Sequence, residues 1–317
     1  MRGRRYGAGG NQAGAGAPAA KVQLRAAAAA HALSHGRPTG ARPPGTPAHA
    51  AAPAHRMSLP AIYFAGLGMI AGCMLLLWLL SLRLGNAAIV DIFWGCGFVL
   101  LAWMYFALGA GYLPRQLLVA ALVTIWGARL STHIWQRNRG RPEDFRYRAW
   151  RLQWGGSFVW RSLLQVFLLQ GALLWLISAP LLLAQAQPAP AALGRLDALG
   201  TLLWLAGFAF EAGGDWQLQR FKANPANAGR VLDSGLWRYT RHPNYFGDAL
   251  IWWGLYLLAA ASPLGAWAIA SPLLMTVLLM RVSGVTMLEK TLAQRPAYRE
   301  YTARTPAFFP WWPKRTE

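Results

Sequence analysis

Acidic residues are scarce in this chain: 11 Asp and Glu stand against 31 Lys and Arg in 317 residues, and charged residues of both signs make up only 13%. Ordinary soluble domains carry roughly a quarter charged residues. With 55% of its residues hydrophobic, the chain is therefore not a water-facing globular fold. Cysteine is nearly absent. Cys73 and Cys96 fall within apolar runs, lack metal-site spacing, say nothing about redox compartment and read as small buried residues. There is no Walker loop and no zinc spacing, and no metal is expected. A loose dinucleotide fingerprint, Gly66-Leu67-Gly68-Met69-Ile70-Ala71, lies inside an apolar run with no strand before it. That excludes a Rossmann sheet, so any cofactor must sit in a helical pocket.

What the chain does have is long apolar runs. A hydrocarbon core about 30 Å thick demands about 20 apolar residues of a helix, and such stretches recur near 60–82, 86–110, 116–135, 158–186, 196–218, 246–262 and 263–281. The expected fold is an all-α integral membrane bundle of about seven transmembrane helices, the last two joined by the tight turn Ala261-Ser262-Pro263. A net charge of +20 invites a nucleic-acid reading. The placement of the cations argues against it: eight lie in residues 1–56, seven each in 133–161 and 281–317, five in 214–245 and four elsewhere. Cations gathered beside span ends follow the positive-inside rule, so no nucleic acid is expected as a partner.

Residues 1–56 hold no acid, no hydrophobic run and four of the six histidines, a composition that cannot bury a core and predicts disorder. If the basic segments after the third, fifth and seventh spans are cytosolic, this basic tail falls on the unfavoured side. Translation from Met57 resolves the conflict, and N-terminal sequencing that finds residues before Met57 defeats it; the membrane domain is then 57–317. The connections on the other face, Gly111 to Arg115 and Gln187 to Pro190, are short and read as simple turns. Chemistry belongs on the charged side.

Ionisable residues inside spans are costly and mark candidate sites. Asp91, about a turn into the second span, either pairs with an arginine such as Arg129 or stays neutral and donates a hydrogen bond to a substrate carbonyl. Glu211, Asp215, Gln219 and Lys222 are spaced four, four and three apart along one helical face. They form a salt-bridged seam or a cofactor wall, with carboxylates for ribose hydroxyls and the lysine for phosphate. The run Gly235 to Asp248 places Arg241 and His242 at a helix start, Pro243 in its first turn, and Asn244 and Asp248 on one face, an arrangement suited to anions. Gln136 to Tyr147 adds a basic cluster with Asn138, Arg141, Glu143 and Asp144, a hydrogen-bonding mix suited to a nucleotide.

The stretch Arg238-Tyr239-Thr240-Arg241-His242-Pro243-Asn244-Tyr245-Phe246-Gly247-Asp248, with Glu211 to Lys222 before it and Leu288-Glu289-Lys290 to Pro310-Trp311 after it, resembles the bacterial DUF1295 proteins, relatives of the steroid 5-alpha-reductase C-terminal domain. The likeness spans roughly 60–313, and Asn138-Arg139-Gly140-Arg141-Pro142 is similar to a run in the steroid enzymes themselves. The resemblance implies a seven-helix reductase of the bacterial inner membrane with a cytosolic C-terminus. NADPH enters from the cytosol, and a lipophilic steroid or other enone takes hydride on a C=C bond conjugated to a carbonyl. Carried over by motif, Asn138, Asp215, Asn244 and Asp248 line the cofactor pocket, and Arg241, His242 and Tyr245 belong to the same loop and helix start; Arg141 and Lys222 join them as cations. The steroid enzymes polarise the carbonyl with a Glu and a Tyr. Asp91 stands in for the Glu, and no Tyr matches in the third span, where Gly127 to His133 stand. The Arg-His-Pro-x-Tyr-x-Gly core also occurs in isoprenylcysteine carboxyl methyltransferases, which leaves an S-adenosylmethionine-dependent methyltransferase as one alternative and a non-enzymatic, lipid-associated membrane protein as another.

Overall fold

The computed structural model describes residues 57–282 and 284–314; the expected disorder of 1–56 lies outside them. Among the described residues the chain is all-helical, with no strand. We number the helices α1 Leu59–Leu84, α2 Ile89–Leu108, α3 Leu113–Asn138, α4 Phe145–Trp154, α5 158–177, α6 Ala179–Ala186, α7 Arg195–Ala223, α8 Pro243–Ala260, α9 Gly265–Val282, α10 Val285–Leu292 and α11 Pro296–Arg304. Local chemistry sets several ends. Ser58 caps α1 by accepting from the Ala61 amide at 3.3 Å, Pro60 sits in its first turn, and Gly85 closes it at φ 62°.

Six segments are long and apolar enough to cross a membrane: α1, α2, α3, the run Phe145–Ala186, α7 and α9. The chain is an integral membrane bundle. The seventh expected span, 246–262, corresponds to α8, an 18-residue helix whose polar Asn244 and Asp248 keep it off that count. The turn after it is as expected, with the Ser262 amide donating to Ala259 O at 2.9 Å.

The expected start of the fourth span at 158 misses a helix. Residues 145–154 form α4, which carries Arg146, Arg148 and Arg151 beside Trp150 and Trp154, and Gly155 at φ 50° separates it from the apolar stretch. Cys96, expected buried, is exposed, although its thiol lies 3.3 Å from the Ser131 hydroxyl.

Glycines let two helix pairs touch backbone to backbone. A Cβ on Gly95 would stand 2.1 Å from Gly127 O, and one on Gly127 would stand 2.5 Å from Gly95 O, which joins α2 to α3. Along α7 and α8 the glycines recur every seventh residue, at 200, 207 and 214 and at 247 and 254. A Cβ on Gly247 would lie 2.4 Å from Glu211 N, and one on Gly254 would lie 2.6 Å from Gly200 O. Lipid offers no hydrophobic drive for helix association, so such close van der Waals contact is what holds the pair. Phe98, Trp126 and Trp252 then fill the space between α2, α3 and α8, with ring centres 4.5 Å apart for Phe98–Trp252 and 5.6 Å for Trp126–Trp252.

The face opposite the charged one is not a set of simple turns. Arg115, fully buried, forms a two-pronged ion pair with Asp197 at 2.7 and 3.0 Å and donates to Ala192 O at 3.1 Å. A residue read as part of a loop thus ties the start of α3 to the start of α7.

Candidate functional site

On the charged side, α3, α7 and α8 direct polar groups at one another. Arg129, on α3, bridges two acids of α7: it donates to Glu211 Oε1 at 2.6 Å and pairs with Asp215 Oδ2. Trp126, one turn earlier, donates its indole N–H to Glu211 Oε2 at 2.9 Å, and His133, one turn later, lies 3.5 Å from Asp215 Oδ2. Across the glycine seam, Asn244 of α8 donates to Asp215 Oδ1 at 3.0 Å. Asp248 lies within electrostatic reach of Glu211, Asp215 and Arg129, and its buried carboxyl meets the buried indole N–H of Trp252, one turn further along α8. Asp215, Asn244 and Asp248 therefore converge, and the α7 stripe is in part the salt-bridged seam. Arg129, Thr132, His133, Gln136, Asp215 and Gln219 line a cleft of about 400 Å³ between α3 and α7.

A second group surrounds Asp91. It does not meet Arg129, which the α7 acids hold; its oxygens accept from the Tyr147 hydroxyl at 2.6 Å and from Arg146 at 3.0 Å. With both oxygens accepting, the donor beside Asp91 is Tyr147, on α4, where the expectation sought a tyrosine in the third span. Gln170 donates to the Tyr147 oxygen at 3.4 Å and accepts from Trp94 at 2.5 Å. Asp144, just outside the membrane-spanning residues, caps α4 through the Arg146 amide at 3.0 Å; burial alone would raise its pKa, and the hydrogen bonds from Arg146 hold it below the usual carboxylate range. Glu143 accepts from the Ala87 amide at 2.7 Å and from Arg151 at 2.8 Å. Both acids are thus occupied in holding α2 and α4, which corrects the expectation that they offer free acceptors to a nucleotide.

Arg241 and His242 do not face an open anion site. Arg241 donates to Glu289 at 2.9 and 3.1 Å and to Thr305 O at 2.6 Å, and His242 Nε2 lies 2.9 Å from Glu289 Oε1 while its ring stacks on Tyr245. The Tyr298 hydroxyl donates to the same Glu289 oxygen at 2.7 Å. The chain's last stretch completes this clasp: the Arg241 amide donates to Pro306 O at 2.9 Å, the Thr240 hydroxyl to Phe308 O at 2.9 Å and the Trp311 amide to Tyr239 O at 2.9 Å.

Glu289 gives a pH prediction. Burial by itself would raise its pKa, but hydrogen bonds from His242, Arg241 and Tyr298 outweigh that and hold it at about 2, against 4.5 for the free group. A folded value below the unfolded one contributes stability above about pH 4.5 that is lost as pH falls through the folded value. Thermal unfolding followed from pH 7 to pH 3 is expected to show a decline beginning below about pH 4.5, and Glu289→Gln is expected to melt lower at pH 7 with a flatter decline. A variant with an unchanged acid limb removes Glu289 as its source.

The remaining expected cations, Arg141 and Lys222, gather at the mouth with Arg137 and Arg295, which sequence reasoning did not assign to the site. Arg137, Arg141 and Arg295 all act electrostatically on Lys222, near the end of α7. All four are exposed, and none has a carboxylate partner among the described residues. Asn138 closes α3 and accepts from Arg137 at 3.3 Å. Tyr245 lies within electrostatic reach of Arg137, Asp215, Arg146 and Asp248, which places it between the two groups. Sequence reasoning omitted Arg129, His133, Arg137, Tyr147 and Glu289 from the site. Arg129 and His133 carried a signal, an intramembrane cation and an imidazole four residues apart on the face that meets the intramembrane acids.

The fold and site define a helical membrane protein with an acid–arginine centre that opens onto a basic face. Residues 77–305 match the family described as "Protein of unknown function (DUF1295)", and the chain belongs to that family. The match includes the acid–arginine centre, the Asp91 group and the basic face, and ends just before Pro306, Phe308 and Trp311 of the clasp. An uncharacterized protein of Schizosaccharomyces pombe, C594.04c, is 27% identical in an alignment 262 positions long that covers 74% of this chain and 75% of that relative. No solved structure matches the chain.

Proposed function

We propose that this protein is a membrane reductase that takes NADPH at its basic face and reduces a C=C bond conjugated to a carbonyl in a lipophilic steroid or other enone. The observation that supports it best is the layering along α7. Glu211 and Asp215, with Asn244 beside them, form a carboxyl and amide level inside the bundle; Lys222, seven residues beyond Asp215 and so about 10 Å along the helix, belongs to a level of unpaired cations. A dinucleotide asks for acceptors and donors around its sugars and carboxamide, and for cations around its phosphates.

In this reading Asp215, Asn244 and Asp248 bind the sugar and amide groups, and Arg137, Arg141, Lys222 and Arg295 bind phosphate. Arg241 and His242 position the start of α8 through Glu289. NADPH, when bound, supplies the hydride. The polarising group in this reading is the Tyr147 hydroxyl, which Asp91 accepts from in the structure and which turns to a carbonyl oxygen once the substrate takes the place of Asp91. The substrate arrives sideways from the bilayer.

One observation favours S-adenosylmethionine instead: Glu211, Asp215 and Asp248 gather around one arginine, and such a cluster of acids offers acceptors to the ammonium and ribose hydroxyls of that methyl donor. The two ligands separate in a melting experiment on protein in detergent. At about 100 times its Kd, a ligand that binds only the native state adds about 2.7 kcal/mol of stability, so NADPH is expected to raise the melting temperature by several degrees. Asn244→Ala and Lys222→Gln are expected to need severalfold more NADPH for the same rise. A rise with the methyl donor alone would replace the reductase reading, and no rise with either favours a non-enzymatic role.

A further inference from the structure

The last turns of α7 carry a second cleft, which meets the first at Trp216 and runs from there toward the loop after α7. α7 has 29 residues, about 43 Å of helix against about 30 Å of hydrocarbon, so its final turns stand at headgroup level. Trp216 is 57% exposed there, as aromatic side chains at a membrane interface are. One turn further on, the Arg220 guanidinium lies 5.4 Å from the Trp216 ring centre. Each residue turns about 100° around a helix, so Arg220 and Lys222 point to nearly opposite sides. Lys222 joins the cations of the mouth, and Arg220 does not.

The cleft encloses about 370 Å³ between α7 and the loop that follows it. Trp216, Phe221 and Leu232 make an apolar wall, and Arg220, Asn224 and Ser234 make a polar one. Arg220 has no carboxylate partner among the described residues; Asp233, beside Ser234, is taken by Arg304 at 2.5 Å. Asn224 uses its oxygen to cap the Ala226 amide at 3.0 Å, which leaves its NH2 free, and the Ser234 hydroxyl is free as well.

We infer that this cleft binds an anionic glycerophospholipid, with Arg220, Asn224 and Ser234 on the headgroup phosphate and an acyl chain along Trp216, Phe221 and Leu232. The unpaired cation selects for net negative charge, and the apolar wall selects a lipid over a free anion. A lipid seated there braces the end of α7, whose other side holds Asp215 and Lys222.

The test is thermal unfolding of the full chain in a neutral detergent, with phosphatidylglycerol, phosphatidylcholine or inorganic phosphate added at equal phosphate concentration. Phosphatidylglycerol is expected to raise the melting temperature by several degrees, with the other two near the detergent value. Arg220→Gln is expected to weaken phosphatidylglycerol binding about fivefold, the worth of one cation at an anionic surface. Arg83→Gln, which removes an exposed cation at the end of α1, is expected to keep the full rise. Each variant's melting temperature without lipid establishes that it is folded. Equal rises with both lipids, the same rise with inorganic phosphate, an Arg220→Gln protein that keeps the whole rise, or an Arg83→Gln protein that loses as much, would each overturn the proposal. The NADPH response of Arg220→Gln is expected to be unchanged, so this outcome is read apart from the reductase reading.

Discussion

Gly247→Ala is expected to destabilise the protein by about 3 kcal/mol or more, the upper range for overpacking a tight contact. The added methyl would stand 2.4 Å from the Glu211 amide nitrogen and 2.5 Å from Gly207 O, and no side-chain rotation relieves a clash between two backbones. α7 and α8 must separate, which also pulls Asn244 from Asp215. Gly68→Ala and Gly72→Ala are the controls. A Cβ at either meets nothing within 4 Å, and alanine favours a helix by up to about 1 kcal/mol over glycine, so neither is expected to lose stability. Melting temperatures of the three variants in one detergent decide the matter. If Gly247→Ala melts with the controls, the seam is not a close contact.

Arg129→Gln is expected to cost 3–5 kcal/mol, the usual range when one partner of a buried ion pair is removed. Arg129 is the cation that Glu211 and Asp215 share, and Asp248 lies within electrostatic reach of both acids. Its removal strands these carboxyls together. Adding Glu211→Gln to the variant is expected to restore a large part of the loss, because one carboxylate is then neutral and still able to accept from Trp126. A double variant as unstable as the sum of the two single ones would show that Arg129 acts by filling space.

Much of the architecture is legible in one dimension. The length of an apolar run is a property of consecutive residues, so the spans over α1, α2, α3, α7 and α9 can be read directly. The seven-residue glycine spacing on α7 and α8 is also visible in the sequence, but that the two rows meet and bring Asp215 to Asn244 is known only from the packing. α4 was hidden because its arginines belong to a cation cluster beside a span end and Trp150 and Trp154 fall before the apolar run that opens at 158; the backbone break at Gly155 sets it apart from that run.

Pairing was not legible. Which acid meets which cation depends on which helices are neighbours, and Asp91 finds Arg146 across 55 residues of sequence while Arg129 finds Glu211 across 82. Arg241 and His242 were read as anion binders from their place before a helix start, whereas Glu289 claims both from 48 and 47 residues away. Charge type and spacing mark where polar groups gather; the contacts they make are set by packing.

The clasp on residues 239–242 has a consequence for biosynthesis. Its partners, Pro306, Phe308 and Trp311, follow every numbered helix along the chain. Residues are added in that order, so the segment ahead of α8 is made before the residues that hold it, and a chain cut short of residue 306 leaves the clasp on Arg241 open.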